Sequence, residues 1–164
     1  VFFMLSEHIA YHNYIAVAIF IVASLTDMLD GKIARKYNLV SNFGKFMDPL
    51  ADKLLVSSAM ICCVALPSNP MPAWVVIVII AREFIISGFR LVASDAGVVI
   101  AASYWGKIKT VTQMIMSILL IVNFDGYIIN IVEYVFIYAA LILTVISLVD
   151  YMVKNWSVMR DGNM

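Results

Sequence analysis

Four aspartates, Asp27, Asp30, Asp48 and Asp52, stand at the edges of two hydrophobic runs within residues 24–55, and they limit what this chain can become. An ionised carboxylate at the centre of a bilayer costs roughly 2.5 to 3.5 kcal/mol even on the lenient insertion scale, so four on adjoining segments cost on the order of 10 to 14 kcal/mol uncompensated. Something must neutralise them. At about 100° per residue, Asp27 and Asp30 lie roughly 60° apart on one helix face, with Gly31 and Ala34 on the same stripe and Arg35 at its flank. Asp48 and Asp52, at i and i+4, project together from the next helix, and Gly44 sits one turn before them. Paired hard oxygen ligands without accompanying cysteine or histidine suit Mg²⁺ or Mn²⁺ rather than zinc. Four negative charges match two such ions.

The setting is a membrane. Of 164 residues, 63% are hydrophobic and only 13% are charged, the composition of an all-α polytopic membrane protein rather than of a soluble domain. Five spans are expected, at about 13–35, 45–66, 71–93, 107–124 and 127–153. Residues 67–72 contain three prolines that end the second span in a tight turn. Pro49 is expected in the opening turn of that span, where a missing amide donor is tolerated. The apolar piece within 94–105 is too short to cross and is expected to join or lengthen the fourth span. No internal repeat or low-complexity linker divides the chain, so residues 1–164 read as a single transmembrane domain. The formal net charge is zero, which leaves no case for nucleic acid as a partner.

Loop charges orient the spans. Lys32, Arg35, Lys36, Lys45 and Lys53 cluster around the first connection, Arg90, Lys107 and Lys109 flank the third, and Lys154 and Arg160 follow the last span; residues 66–73 and 124–130 carry no Lys or Arg. By the positive-inside rule the aspartate end faces the cytoplasm, as does the C-terminal end. His8 and His12 share an i, i+4 spacing but lack a third ligand and read as part of a polar link. Cys62 and Cys63 read as small buried hydrophobes, the ten methionines as core filler, and Tyr14, Trp74, Tyr104, Trp105, Tyr127 and Trp156 as aromatic belts. Residues 1–5 read as the tail of an apolar segment, without the charged n-region and cleavage site of a signal peptide.

The eight positions Asp27, Asp30, Gly31, Ala34, Arg35, Gly44, Asp48 and Asp52 match the signature D-x2-D-G-x2-A-R-x8-G-x3-D-x3-D, and on it the chain resembles the CDP-alcohol phosphotransferases. The flanking DPLADKLLV, PAWVVIVIIAREFIISGFRLVA and GKIKT stretches are similar to the branch of that family that makes phosphatidylglycerophosphate. The resemblance implies a six-helix bundle, of which this chain, apparently shortened at its N-terminus, lacks most of the first helix. It also implies CDP-diacylglycerol as donor, sn-glycerol 3-phosphate as acceptor, CMP as the second product, a homodimer, and a place in the bacterial cell membrane with membrane lipid around it.

The same resemblance assigns roles. Asp27, Asp30 and Asp48 hold two ions of Mg²⁺ or Mn²⁺ with Asp52 near them, and Asp52 is the general base that takes the proton of the acceptor hydroxyl. Asp52 lies one turn beyond a metal ligand, which suits a base that must reach its proton. Gly31, Ala34 and Gly44 remove bulk to admit the cytidine diphosphate, and Arg35 is a candidate for a phosphate or for a structural carboxylate. Two metals about 3.5 to 4 Å apart can clamp a pyrophosphate and stabilise an in-line displacement. The acceptor carries its own phosphate dianion, so cations are expected for it: Arg82, Arg90, Lys107 and Lys109, with Lys53, Asp150 and Lys154 as weaker candidates. Arg82 has an alternative partner in Glu83, although adjacent side chains on a helix diverge.

Two rival readings stay open. The aspartates read only the shared CDP portion, so a cardiolipin synthase or an inositol-phosphate-using relative fits them as well. From a different class, intramembrane carboxylates also mark cation transporters, but those place their site near the midplane within repeated halves, and here the acids lie toward one face.

Overall fold

The computed structural model of the chain describes residues 11–36, 42–66, 69–95, 100, 103–124 and 126–156; within its helices the side chains at 27, 28, 30–32, 34–36, 42–50, 52 and 95 fall outside the described part. His8, Pro67, Asp125 and Arg160 lie outside the described residues. What is described is all helical: α1 (His12–Lys36), α2 (Asn42–Ala65), α3 (Ala73–Asp95), α4 (Tyr104–Val122) and α5 (Tyr127–Lys154). Each covers one of the five expected segments to within three residues at either end. Asn42 opens α2 earlier than expected, which corrects the place of Pro49: it is in the third turn, not the first, and withdraws one amide from the helix ladder there.

By length and apolarity only α4 and α5, among the described residues, suffice to cross a membrane. Charges interrupt the other three. The apolar parts of α1 and α2 shorten to His12–Thr26 and Lys53–Ala65, and α3 carries Arg82, Glu83 and Arg90 in its length.

The chain divides into two compact units. The first comprises Val1–Met71 and Ser117–Gly126. In it α1 packs on α2, and its buried residues include Ala16 and Phe20 of α1, Ala59, Met60, Cys62 and Cys63 of α2, and Leu120 and Ile121 of α4. Neither Cys62 nor Cys63 is in a disulfide among the described residues. The C-terminal carbonyls of α4 find side-chain donors here: Asn69 Nδ2 donates to the Leu120 carbonyl at 3.0 Å and Asn13 Nδ2 to that of Val122 at 3.4 Å. Asn123 follows in the left-handed region with φ 51°, and its amide donates to the Leu119 carbonyl at 3.1 Å. Asparagine tolerates that conformation better than any β-branched residue, so it closes the helix without a glycine.

The second unit comprises Pro72–Met116 and Tyr127–Met164. The Pro72 carbonyl accepts the Val75 amide at 3.1 Å and starts α3, and Ser103 Oγ accepts the Gly106 amide at 3.3 Å and caps α4. Here α3 packs on α5. The face buried on α3 runs through Val75, Ile79, Arg82, Ile86 and Ala93; that on α5 through Glu133, Ile137, Ala140, Thr144, Ser147 and Tyr151. Steps of three and four residues put each set on one stripe. Arg82 meets Ser147, and further along both helices the Phe89 and Tyr151 rings stack edge to face with centroids 5.8 Å apart, so the two helices run parallel. Small residues at Ala140, Thr144 and Ser147 let the backbones approach, as helix pairs in lipid require.

Candidate functional site

Asp27 and Asp30 lie on the second half of α1, and Asp48 and Asp52 on the first half of α2. The backbone is helical at all four positions. Two packed helices joined by a five-residue connection run antiparallel. Asp30 is then about 9 Å from the end of α1 and Asp48 about 9 Å from the start of α2, while Asp27 and Asp52 lie about 14 and 15 Å along. The donor set fits a hard divalent cation, being carboxylate throughout. The side chains of these four residues, and those of Gly31, Ala34, Arg35 and Gly44, lie outside the described part of the structure.

A second cluster of polar side chains lies in the unit built on α3 and α5. Arg82 and Lys109 are buried, 8% and 2% exposed. Burying a cation is tolerable only against a counter-charge with hydrogen bonds, and Glu83 supplies it twice: Oε1 accepts from Arg82 Nη1 at 3.1 Å and also from Lys109 Nζ. Adjacent residues on a helix point apart, but the guanidinium is long enough to turn back to its neighbour. Arg82 Nη2 donates to Ser147 Oγ on α5, so one guanidinium ties α3 to α5 while Glu83 ties α3 to α4. These contacts leave the three charged groups with one positive charge more than negative. Arg82 Nε has no hydrogen-bond partner among the described residues.

Gly106 brings the α4 backbone to this cluster. A Cβ there would lie 3.6 Å from Arg82 Nη2 and 3.6 Å from Ser147 Oγ, so the glycine keeps that side of the guanidinium free of side chain. Arg90 and Lys107 are exposed, on the same two helices. Near the end of α5, Asp150 pairs with Lys154 at 2.7 Å, and Tyr151 is buried with its hydroxyl unpartnered among the described residues.

Of the four cations expected at the acceptor, Arg82 and Lys109 are thus drawn together through Glu83, while Arg90 and Lys107 stay exposed. The alternative partner weighed for Arg82, Glu83, is the one it has, and it is shared with Lys109. Sequence reasoning missed Ser147, Ser103 and the buried Gln113 and Thr144. One signal could have found Ser147: on α5 the polar positions Glu133, Thr144 and Ser147 recur on a single helical stripe in an otherwise apolar run.

Residues 1–146 match the sequence model of the CDP-alcohol phosphatidyltransferase family. The chain is 49% identical over 150 residues, 88% of its own length and 75% of the relative's, to a CDP-diacylglycerol–glycerol-3-phosphate 3-phosphatidyltransferase of Bacillus subtilis. It is 37% identical over 144 residues to a protein of the same name from Haemophilus influenzae, covering 85% of this chain and 76% of that one. A probable phosphatidylglycerophosphate synthase of Mycobacterium tuberculosis H37Rv is 39% identical over 140 residues, covering 85% of this chain and 65% of the relative.

Proposed function

Because this chain belongs to the CDP-alcohol phosphatidyltransferase family, we propose that it transfers the phosphatidyl group of CDP-diacylglycerol to sn-glycerol 3-phosphate, releasing CMP and forming phosphatidylglycerophosphate. The observation that carries this reading is 49% identity, over 88% of the chain, to a relative named for that reaction. The names of the relatives favour glycerol 3-phosphate over the acceptors of a cardiolipin synthase or an inositol-phosphate-using enzyme, and the family model speaks against a cation transporter.

In this reading Asp27, Asp30, Asp48 and Asp52 hold two ions of Mg²⁺ or Mn²⁺. When bound, such ions neutralise the phosphoanhydride oxygens and the developing negative charge. Asp52 takes the proton of the acceptor hydroxyl as that oxygen bonds to the β-phosphorus of the donor. The bond from this phosphorus to the CMP oxygen breaks in line, and its electrons leave with CMP. A base is most useful where it reaches the proton, and Asp52 is a helical turn from Asp48.

Gly31, Ala34 and Gly44 leave room for the cytidine diphosphate, with Arg35 at one of its phosphates. Arg82, Arg90, Lys107 and Lys109 receive the phosphate of the acceptor; an arginine fork offers it two parallel hydrogen bonds and a lysine a point charge. The enzyme works in the bacterial cell membrane with the aspartates toward the cytoplasm, where a nucleotide is in water while its acyl chains stay in lipid, and as a homodimer. Two long apolar helices and the distribution of Lys and Arg support the membrane placement.

The test is CMP release by purified protein given CDP-diacylglycerol and, in turn, sn-glycerol 3-phosphate, phosphatidylglycerol and inositol phosphate, each with Mg²⁺, Mn²⁺ or a chelator. Release with glycerol 3-phosphate alone, abolished by the chelator, is expected. Faster release with another acceptor would overturn the choice of substrate, and undiminished release in chelator would overturn the metal role.

A further inference from the structure

We infer that Glu83 is a positioning residue for the acceptor: its carboxylate holds Arg82 and Lys109 in the places from which they meet the acceptor's phosphate. The inference rests on the reading above that these two cations take that phosphate, and it adds a residue of opposite sign to a site otherwise defined by its cations.

Three observations carry it. First, Glu83 Oε1 accepts from both cations, one on its own helix and one on α4, so a single oxygen sets the separation of two groups that are 27 positions apart in sequence and on different helices. Arginine and lysine are long and rotamer-rich, and without a fixed anchor neither keeps one position. Second, Arg82 is not used up by this anchoring. Nη1 is on Glu83 and Nη2 on Ser147, while Nε is buried without a partner among the described residues. Buried donors are nearly always satisfied, and an acceptor oxygen of the substrate is the group that would complete this one. Third, Gly106 leaves the α4 side of the guanidinium open, with Ser147 Oγ and Ser103 Oγ bordering the same space.

A carboxylate beside a phosphate subsite is unfavourable by charge alone, which separates positioning from simple attraction. Removing the charge of Glu83 would strengthen the field felt by a dianion, yet it would release the two cations from their shared anchor. If position matters more than field, affinity for the acceptor falls.

The experiment compares Glu83→Gln and Glu83→Asp with the unaltered enzyme by steady-state kinetics against each substrate. Glu83→Gln is expected to raise the KM for sn-glycerol 3-phosphate about tenfold, to leave the KM for CDP-diacylglycerol within twofold, and to weaken inhibition by inorganic phosphate in parallel. Glu83→Asp, which keeps the charge on a shorter stem, is expected to fall between the two. A purely structural role would move both KM values together or neither, and either result overturns the inference. Should Glu83→Gln fail to assemble, Glu83→Asp decides alone: a threefold or larger rise in acceptor KM supports the role and an unchanged value overturns it. Arg82→Gln separates this inference from the reading beneath it. If that variant leaves the acceptor KM unmoved, the phosphate-docking assignment fails; if it raises the KM and Glu83→Gln does not, only the role of Glu83 fails.

Discussion

Lys109 on α4 donates to Glu83 on α3 across 26 residues of sequence, and both side chains are withdrawn from solvent. The pair links these two helices, and Arg82 shares its acceptor oxygen. Removing Lys109 leaves Glu83 with Arg82, whereas removing the charge of Glu83 leaves two buried cations. Lys109→Met is therefore expected to cost about 1–3 kcal/mol, as for a lost charged hydrogen bond, and Glu83→Gln about 3–5 kcal/mol, as for an orphaned buried charge. Reversible unfolding in mixed micelles, run as a double-mutant cycle, should return a coupling of about 0.5–3 kcal/mol. Strictly additive losses would show that the two do not interact.

Asp48 and Asp52 are one turn apart on α2 but are assigned different work. Asp48→Asn is expected to abolish both turnover and divalent-ion binding. Asp52→Asn is expected to reduce turnover about 10²- to 10⁴-fold, the range of a lost general base, while Mn²⁺ and CDP-diacylglycerol still bind by calorimetry. Turnover at the unaltered rate in the Asp52 variant would remove it from the base role.

Arg90 lies two turns beyond Arg82 on α3 and is exposed. Because its side chain is exposed, its truncation should leave the fold intact and act on ligands alone. Arg90→Ala is expected to raise the KM for sn-glycerol 3-phosphate more than that for CDP-diacylglycerol. Equal increases would count against a place at the acceptor's phosphate.

Asn69 holds two backbone groups at once, donating to the Leu120 carbonyl at 3.0 Å and accepting from the Met71 amide at 3.1 Å. Asn69→Ala is expected to destabilise the protein by about 1–3 kcal/mol, the cost of unsatisfied part-buried backbone groups. Thermal unfolding in detergent measures it, and both KM values should be unchanged in the folded fraction.

The helices were legible because lipid and periodicity leave few choices. A run of apolar residues some 20 long must satisfy its backbone internally, and the stops were equally plain, since the prolines of residues 67–72 precede α3 and Asn123 with Gly126 separates α4 from α5. Pro49 shows the limit. Its place in α2 depended on where the helix began, and helix starts are set by caps and contacts within a few residues rather than by hydropathy.

The reading of the aspartates rests on a related property: helical spacing is local, so residues three and four apart on a helix are neighbours wherever the helix lies. Local spacing together with the family signature thus named the chemistry and the residues proposed to hold its metals. What it could not supply is which partner each buried charge takes. Lys109 and Glu83 are far apart in sequence, and Ser147 is 65 residues from Arg82; only the packing of α3, α4 and α5 made one carboxylate oxygen the meeting point of two cations. Pairings of that kind are decided by which stripes face each other, since a charge withdrawn from water must find its counterpart among whatever the neighbouring helix happens to present.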